Sequence, residues 1–151
     1  MLAAGTQAVS GPTVRVSLTD AKNVPAVLPD GISVDDYVVH QQDVQAVVNA
    51  LWQGGAEAMM LMDQRVISTS AVRCVGNTLI LQGRVYSPPY VITAIGNQSD
   101  LRASLDSSPS VAIYKQWVGA VGVGYDVQSR REQTFPAYAG SLNLEKARTT
   151  R

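Results

Sequence analysis

The six-residue run YVITAI, Tyr90–Ile95, most constrains how this chain of 151 residues can fold. In an extended backbone Val91, Thr93 and Ile95 point one way, and Tyr90, Ile92 and Ala94 point the other. Both sets are largely apolar, so the run must be an interior strand covered on both faces. Pro88 and Pro89 precede it and have no N–H to give to a ladder, which keeps residues 87–89 out of a central strand and sets the register of the run itself. Gly96-Asn97 ends the strand, and Asn97 or Ser99 is placed to cap a helix over SDLRASLD, residues 99–106.

The flanking sequence divides into elements around that strand. TVRVSLTD (13–20) alternates apolar Val14, Val16 and Leu18 with polar residues and predicts a half-buried strand. A long loop follows over 21–36, punctuated by Pro25, Pro29 and Asp30-Gly31. In HQQDVQAVVNALWQGG (40–55), Val44, Val47, Val48 and Leu51 form one helical stripe, Asp43 suits the first turn, and Gly54-Gly55 stop the helix. A run of strands comes next: EAMMLM, a turn at Asp63-Gln64, RVISTSAVRCV, a hairpin at Gly76-Asn77, TLIL, and a turn at Gln82-Gly83. SVAIYKQWVGAVG (110–122) predicts a helix, and residues 123–138 predict a final strand or two. The chain is therefore expected to be a soluble α+β domain, a ferredoxin-like layer of mostly antiparallel strands with helices packed on it. Its expected parts are an entry segment over 1–12, a single domain over 13–138 and a polar tail over 139–151.

Composition narrows the functional classes. Lys plus Arg and Asp plus Glu are 12 each, which gives no overall basic excess for nucleic acid. A local excess (Arg130, Arg131, Lys146, Arg148 and Arg151 against Glu132 and Glu145) is expected to be a solvated tail. The single Cys74 permits no internal disulfide and no multi-thiolate metal site. GAVGVGYD (119–126) has the wrong glycine order and the wrong flanking elements for a dinucleotide loop, and predicts a helix stop and a turn. His40 lacks an activated nucleophile partner and is expected to cap a helix or face solvent. Asp20, Asp30, Asp35 and Asp36 match no calcium-loop spacing and are expected to be solvated turn residues. Arg65, Arg73 and Arg84, with Asn77 at the hairpin turn, are the candidate contacts for an anionic ligand or a partner; arginines on edge strands also discourage aggregation.

Taken together, VVNALWQGGAEAMMLMDQRVISTSAVRCVGNTLILQGRVYSPPYVITAIGN resembles the domain-of-unknown-function family 881, membrane-anchored proteins of Gram-positive bacteria, including actinobacteria. Asn49, Leu51, Gly55-Ala56-Glu57-Ala58, Gln64-Arg65, Gly76-Asn77, Pro88-Pro89-Tyr90 and Ala94-Ile95-Gly96 carry the resemblance. GPTVRVSLTD near the start and FPAYAG near the end extend it. Where the family has an asparagine-glycine turn before Gln-Arg, this chain has Met62-Asp63. The resemblance implies a chain anchored through a membrane segment absent here, with this domain outside the cytoplasm. It also implies a scaffold or regulator of envelope growth or division, binding envelope or division proteins or a second copy of itself. No catalytic residues and no cofactor are expected. The alternative is a sensor for a small anionic ligand such as a cell-wall fragment.

Overall fold

The structure, a computed structural model, describes residues 7–67, 73–75, 78–81 and 83–137. In chain order the strands are β1 (Val9–Thr19), β2 (Ala58–Leu61), β3 (Gln64–Val66), β4 (Arg73–Val75), β5 (Thr78–Leu81), β6 (Arg84–Tyr86), β7 (Tyr90–Ile95) and β8 (Gly124–Phe135). The helices are α1 (Gln41–Gln53), α2 (Gln98–Ser107) and α3 (Pro109–Val121), and a 3-10 turn spans Val34–Tyr37. Five strands form the main sheet in the order β3-β2-β7-β1-β8, and β4-β5-β6 form a smaller one. Every strand pair in both sheets is antiparallel. The α+β expectation with a mostly antiparallel sheet therefore holds.

β7 is interior, between β2 and β1, but only its Tyr90, Ile92 and Ala94 face is fully covered; on the other, Val91 is half-buried and lines an open groove. Tyr90, Ile92 and Ala94 are fully buried beside Val14, Val16 and Leu18 of β1, and the three helices close over this face. From α1 the stripe Val44, Val47, Val48 and Leu51 enters the same core, as its spacing predicts. Leu101 and Leu105 of α2, and Val111 and Tyr114 of α3, complete the helical layer. Leu79 of β5 joins the core too, which attaches the small sheet to the main body.

The helix ends follow local chemistry. The Asn97 side chain accepts a hydrogen bond from Asp100 N–H at 3.0 Å at the start of α2. Ser108 Oγ accepts one from Val111 N–H at 3.2 Å, with Pro109 at the first position of α3. Gly122 ends α3 in the left-handed region at φ 86°, donating to the carbonyls of Trp117 and Val118. The glycine run is thus a helix stop leading into β8.

Three expectations need correcting. RVISTSAVRCV is not one strand: β3 ends at Val66 and β4 begins at Arg73 in a different sheet. The three-residue β6 was not expected, because a run that short shows no periodicity of its own. β1 starts at Val9 rather than at residue 13, because Val9, Ser10 and Gly11 pair with Phe135, Thr134 and Gln133. The final segment is one strand of 12 residues. The Gly76-Asn77 hairpin and residues 139–151 lie outside the described residues.

Leu51→Ala removes a fully buried side chain from the junction of α1 with the sheet. It should destabilise the fold by about 2–5 kcal/mol. A lowered urea midpoint with an unchanged slope checks this.

Candidate functional site

The face of the main sheet opposite the helices is only partly covered, and the cover comes from the sheet's own ends. Between Gly11 and Thr13 the β1–β8 register shifts by a bulge, which bends this ribbon across the sheet. At the crossing, a Cβ on Gly11 would lie 2.8 Å from Ile95 Cγ2, so only glycine fits there without a shift. Beyond the bend, Phe135 is fully buried on Ala58 and Ile95, with Val9 and Met60 packed beside them.

Arg65 holds this fold-over in place. It projects from the edge strand β3 and is 3% exposed. Its Nη1 donates to the carbonyls of Gln7 at 2.9 Å and Pro136 at 2.8 Å, on the chain just before β1 and just after β8. Burial pulls its pKa down, because the charge is kept from water. Arg65 is therefore a clasp between edge strand and ribbon, unavailable to an external anion.

Below the fold-over the sheet face stays open as a groove of about 510 Å³. Arg15 of β1, Val91 and Thr93 of β7, and Arg130, Glu132 and Gln133 of β8 line one side and the floor. Met62 and Asp63 of the β2–β3 turn and Tyr86 of β6 line the other. The turn is locally constrained: Met62 has φ 57°, a left-handed conformation that costs a side-chain-bearing residue energy. Two contacts to Val91 hold it there, Met62 N–H to Val91 O at 2.8 Å and Val91 N–H to Met62 Sδ at 3.2 Å.

A polar network forms the Asp63 wall. Tyr86 Oη donates to Asp63 Oδ1 at 2.5 Å and accepts from Gln64 Nε2 at 2.6 Å. Arg84 Nη1 lies 3.4 Å from Asp63 Oδ2, and its guanidinium sits 5.7 Å from the centre of the Tyr86 ring. The Tyr86 hydrogen bond, then Arg84, hold the Asp63 carboxyl below its ordinary 3.8. Partial burial, then the Asp63 bond, push the Tyr86 phenol up. The opposite wall differs: the guanidinium groups of Arg15 and Arg130 have no hydrogen bond or ion pair among the described residues. Arg15 is half-buried and Arg130 exposed.

The described strands place the predicted arginines on two sheets. Arg65 is in the main sheet, while Arg73 and Arg84 are on β4 and β6 of the small one, so the three form no continuous stripe; all three are on edge strands. Nothing is described for the Arg73 side chain, and Asn77 lies outside the described residues. Arg130 and Arg131 belong to β8 instead of a solvated tail. His40 is the N-cap residue of α1, its N–H donating to Asp43 Oδ2 at 2.8 Å and its Nε2 lying 2.9 Å from Asp35 Oδ2. Burial raises the Asp43 pKa more than His40 lowers it. The loop aspartates act as anchors: Asp20 accepts from Val39 N–H at 2.8 Å, and Asp36 from Ser33 N–H at 2.8 Å. No group of three or more His, Cys, Asp or Glu able to hold a metal ion occurs among the described residues.

Arg15 and Arg130 were missed as candidates because they lie far apart in sequence. The available signal was an arginine at the centre of the polar face of the first predicted strand.

An antiparallel sheet with helices on one face and a charged groove on the other defines an α+β domain. The chain belongs to the bacterial family of proteins of unknown function DUF881, whose model matches residues 1–148. The UPF0749 protein MT1871 of Mycobacterium tuberculosis is 29% identical over 141 residues, 91% of this chain and 46% of the relative. The UPF0749 protein YlxW of Bacillus subtilis is 33% identical over 102 residues, 68% of this chain and 42% of the relative. The matched region is thus less than half the length of either relative. A crystal structure of an uncharacterized conserved protein from Mycobacterium tuberculosis is similar with a TM-score of 0.68 and 26% identity, covering 89% of this chain and 85% of that one.

Two outcomes follow from this geometry. Arg65→Met leaves the Gln7 and Pro136 carbonyls without their donor and should lower stability by about 1–3 kcal/mol, read by urea unfolding. Tyr86→Phe should move the Asp63 titration midpoint up toward 3.8. Since the folded-state pKa is depressed, Asp63 stabilises the fold above its unfolded value, and the effect is lost as pH falls through the depressed midpoint. Carboxyl carbon NMR titration of both proteins checks the shift.

Proposed function

We propose that this domain is a non-catalytic binding module whose working surface is the open face of its main sheet. The observation that carries this reading is the groove itself: one wall is internally satisfied, and the other presents two arginines without an ionic partner among the described residues. Concave sites of this size, mixing apolar floor with a few polar groups, are where proteins bind ligands and partners. Among the described lining residues there is no His, Cys, Ser or Lys, and the paired arginines favour binding of an anion over catalysis.

The proposal extends to the longer protein. Here the domain is tethered to a membrane through a segment outside this chain and faces away from the cytoplasm. Its partners are envelope or division proteins, or a second copy. Support comes from the family resemblance and from relatives that extend well beyond the shared region. Tethering raises effective concentration, so a modest groove suffices for function.

We also read the main sheet as an elaborated ferredoxin-like layer. Its support is that β1, β2, β7 and β8, numbered one to four, lie in the order four-one-three-two, with helices after the first and before the last. β3 and the small sheet are then insertions between the second and third.

A photo-crosslinking residue at Gln133 in the groove should capture a defined partner in membranes of the source bacterium from the full-length protein. The same residue at Ile113, exposed on α3, should not. Equal capture from both positions, or none from Gln133, rejects the groove as the working surface. A reporter at the C-terminus of the full-length protein that is active only in the cytoplasm rejects the placement.

A further inference from the structure

We infer that the β1–β8 end of the groove is a carboxylate site, in which Arg15 and Arg130 clamp a small organic acid with an apolar body. This rests on the reading of the open face as the working surface.

The register places the two arginines together. Arg15 pairs with Gln128 and Thr13 with Arg130, so Arg15 and Arg130 are diagonal neighbours on one face. Diagonal positions on adjacent antiparallel strands stand roughly 7–8 Å apart, within reach of two long side chains converging on one group. Both line the groove. Gln98 Nε2 donates to the carbonyls of Thr13 at 3.1 Å and Arg130 at 2.7 Å, which pins the ribbon from the helical side at the level of the clamp.

Three other arginines of the domain are already used. Arg65 serves two carbonyls, Arg84 faces Asp63 and Tyr86, and Arg102 Nε donates to Ser129 Oγ at 2.9 Å. Arg15 and Arg130 share a cavity and have no hydrogen bond or ion pair among the described residues. Guanidinium forks match a carboxylate in plane and in donor spacing.

The surroundings select the ligand. Glu132 lines the same wall, so a doubly charged phosphate is repelled more strongly there than a singly charged carboxylate. Val91 forms apolar floor, and Met62 and Tyr86 face the clamp from the opposite wall. The acid end of a ligand therefore meets the arginines, and its apolar end lies across β7 toward the Tyr86 ring.

The test is side-chain NMR of the arginine Nε–Hε groups in the 151-residue chain, titrated with 4-phenylbutyrate, a blocked glutamyl tripeptide, and inorganic phosphate. The first should shift the Arg15 and Arg130 signals saturably and leave that of the clasped Arg65 in place. Arg130→Gln, at an exposed position, should weaken binding about tenfold, as loss of a charged bidentate contact does, with the backbone amide spectrum otherwise unchanged. Arg15→Gln should do the same where its amide spectrum shows the native fold. Phosphate binding as tightly as 4-phenylbutyrate overturns the carboxylate assignment. Binding of the tripeptide alone overturns the small acid in favour of an acidic side chain. No shift with any probe overturns the site, while groove crosslinking at Gln133 decides the broader reading separately.

Discussion

Everything in this domain depends on burying the β1–β7 pair. Val14, Val16 and Leu18 lie in register with Ala94, Ile92 and Tyr90, all fully buried. Six apolar side chains on one face of two central strands leave water only if a helical layer covers them, and α1, α2 and α3 do so. The close approach of α1 to α2 is part of the same demand. A Cβ on Gly54 would lie 2.9 Å from Ser104 Cβ, and Ser104 Oγ donates to the Ala50 carbonyl at 2.6 Å. Helix, turn and sheet are thus fitted to one core.

The second face is solved differently, and that difference creates the site. No helix covers it. The sheet instead bends its own longest ribbon over one end, buries Phe135, and is held by Arg65. A charged clasp is suited to this position because backbone carbonyls leaving a sheet need donors, and a guanidinium supplies several from one side chain. The part of the face left uncovered becomes concave because the fold-over borders it at one end and the β2–β3 turn with β6 borders it along the side.

The walls of the groove carry unequal chemistry for the same reason. β6 reaches it only through the small sheet, and Tyr86 is tied there by Asp63, Gln64 and Arg84. Those groups spend their bonding capacity holding two sheets together. Arg15 and Arg130 stand on strands already secured by the β1–β8 ladder, and their guanidinium groups have no partner among the described residues. Family membership agrees with a shared fold across actinobacterial and bacillus relatives, and the similar crystal structure extends that agreement to the architecture.

The sequence by itself determined the elements whose signal is local. The stripe from Val44 to Leu51, the two apolar faces of Tyr90–Ile95, a helix cap at Asn97 or Ser99 and the stop at Gly122 are read from spacing and backbone chemistry within a few residues. The α+β class follows from their order, and the resemblance carried by Gly55-Ala56-Glu57-Ala58 and Pro88-Pro89-Tyr90 reached the right family. Only the tertiary structure decided which arginine is structural and which is free. Arg65 sits in a polar-looking strand yet is buried, because Gln7 and Pro136 meet it from opposite ends of the described chain. Arg130, in a basic stretch expected to be a tail, stands beside Arg15 because β8 pairs with β1 across more than a hundred residues. A charge pattern along the chain records neither burial nor partners; those are set by non-local strand pairing, which no short window of sequence contains.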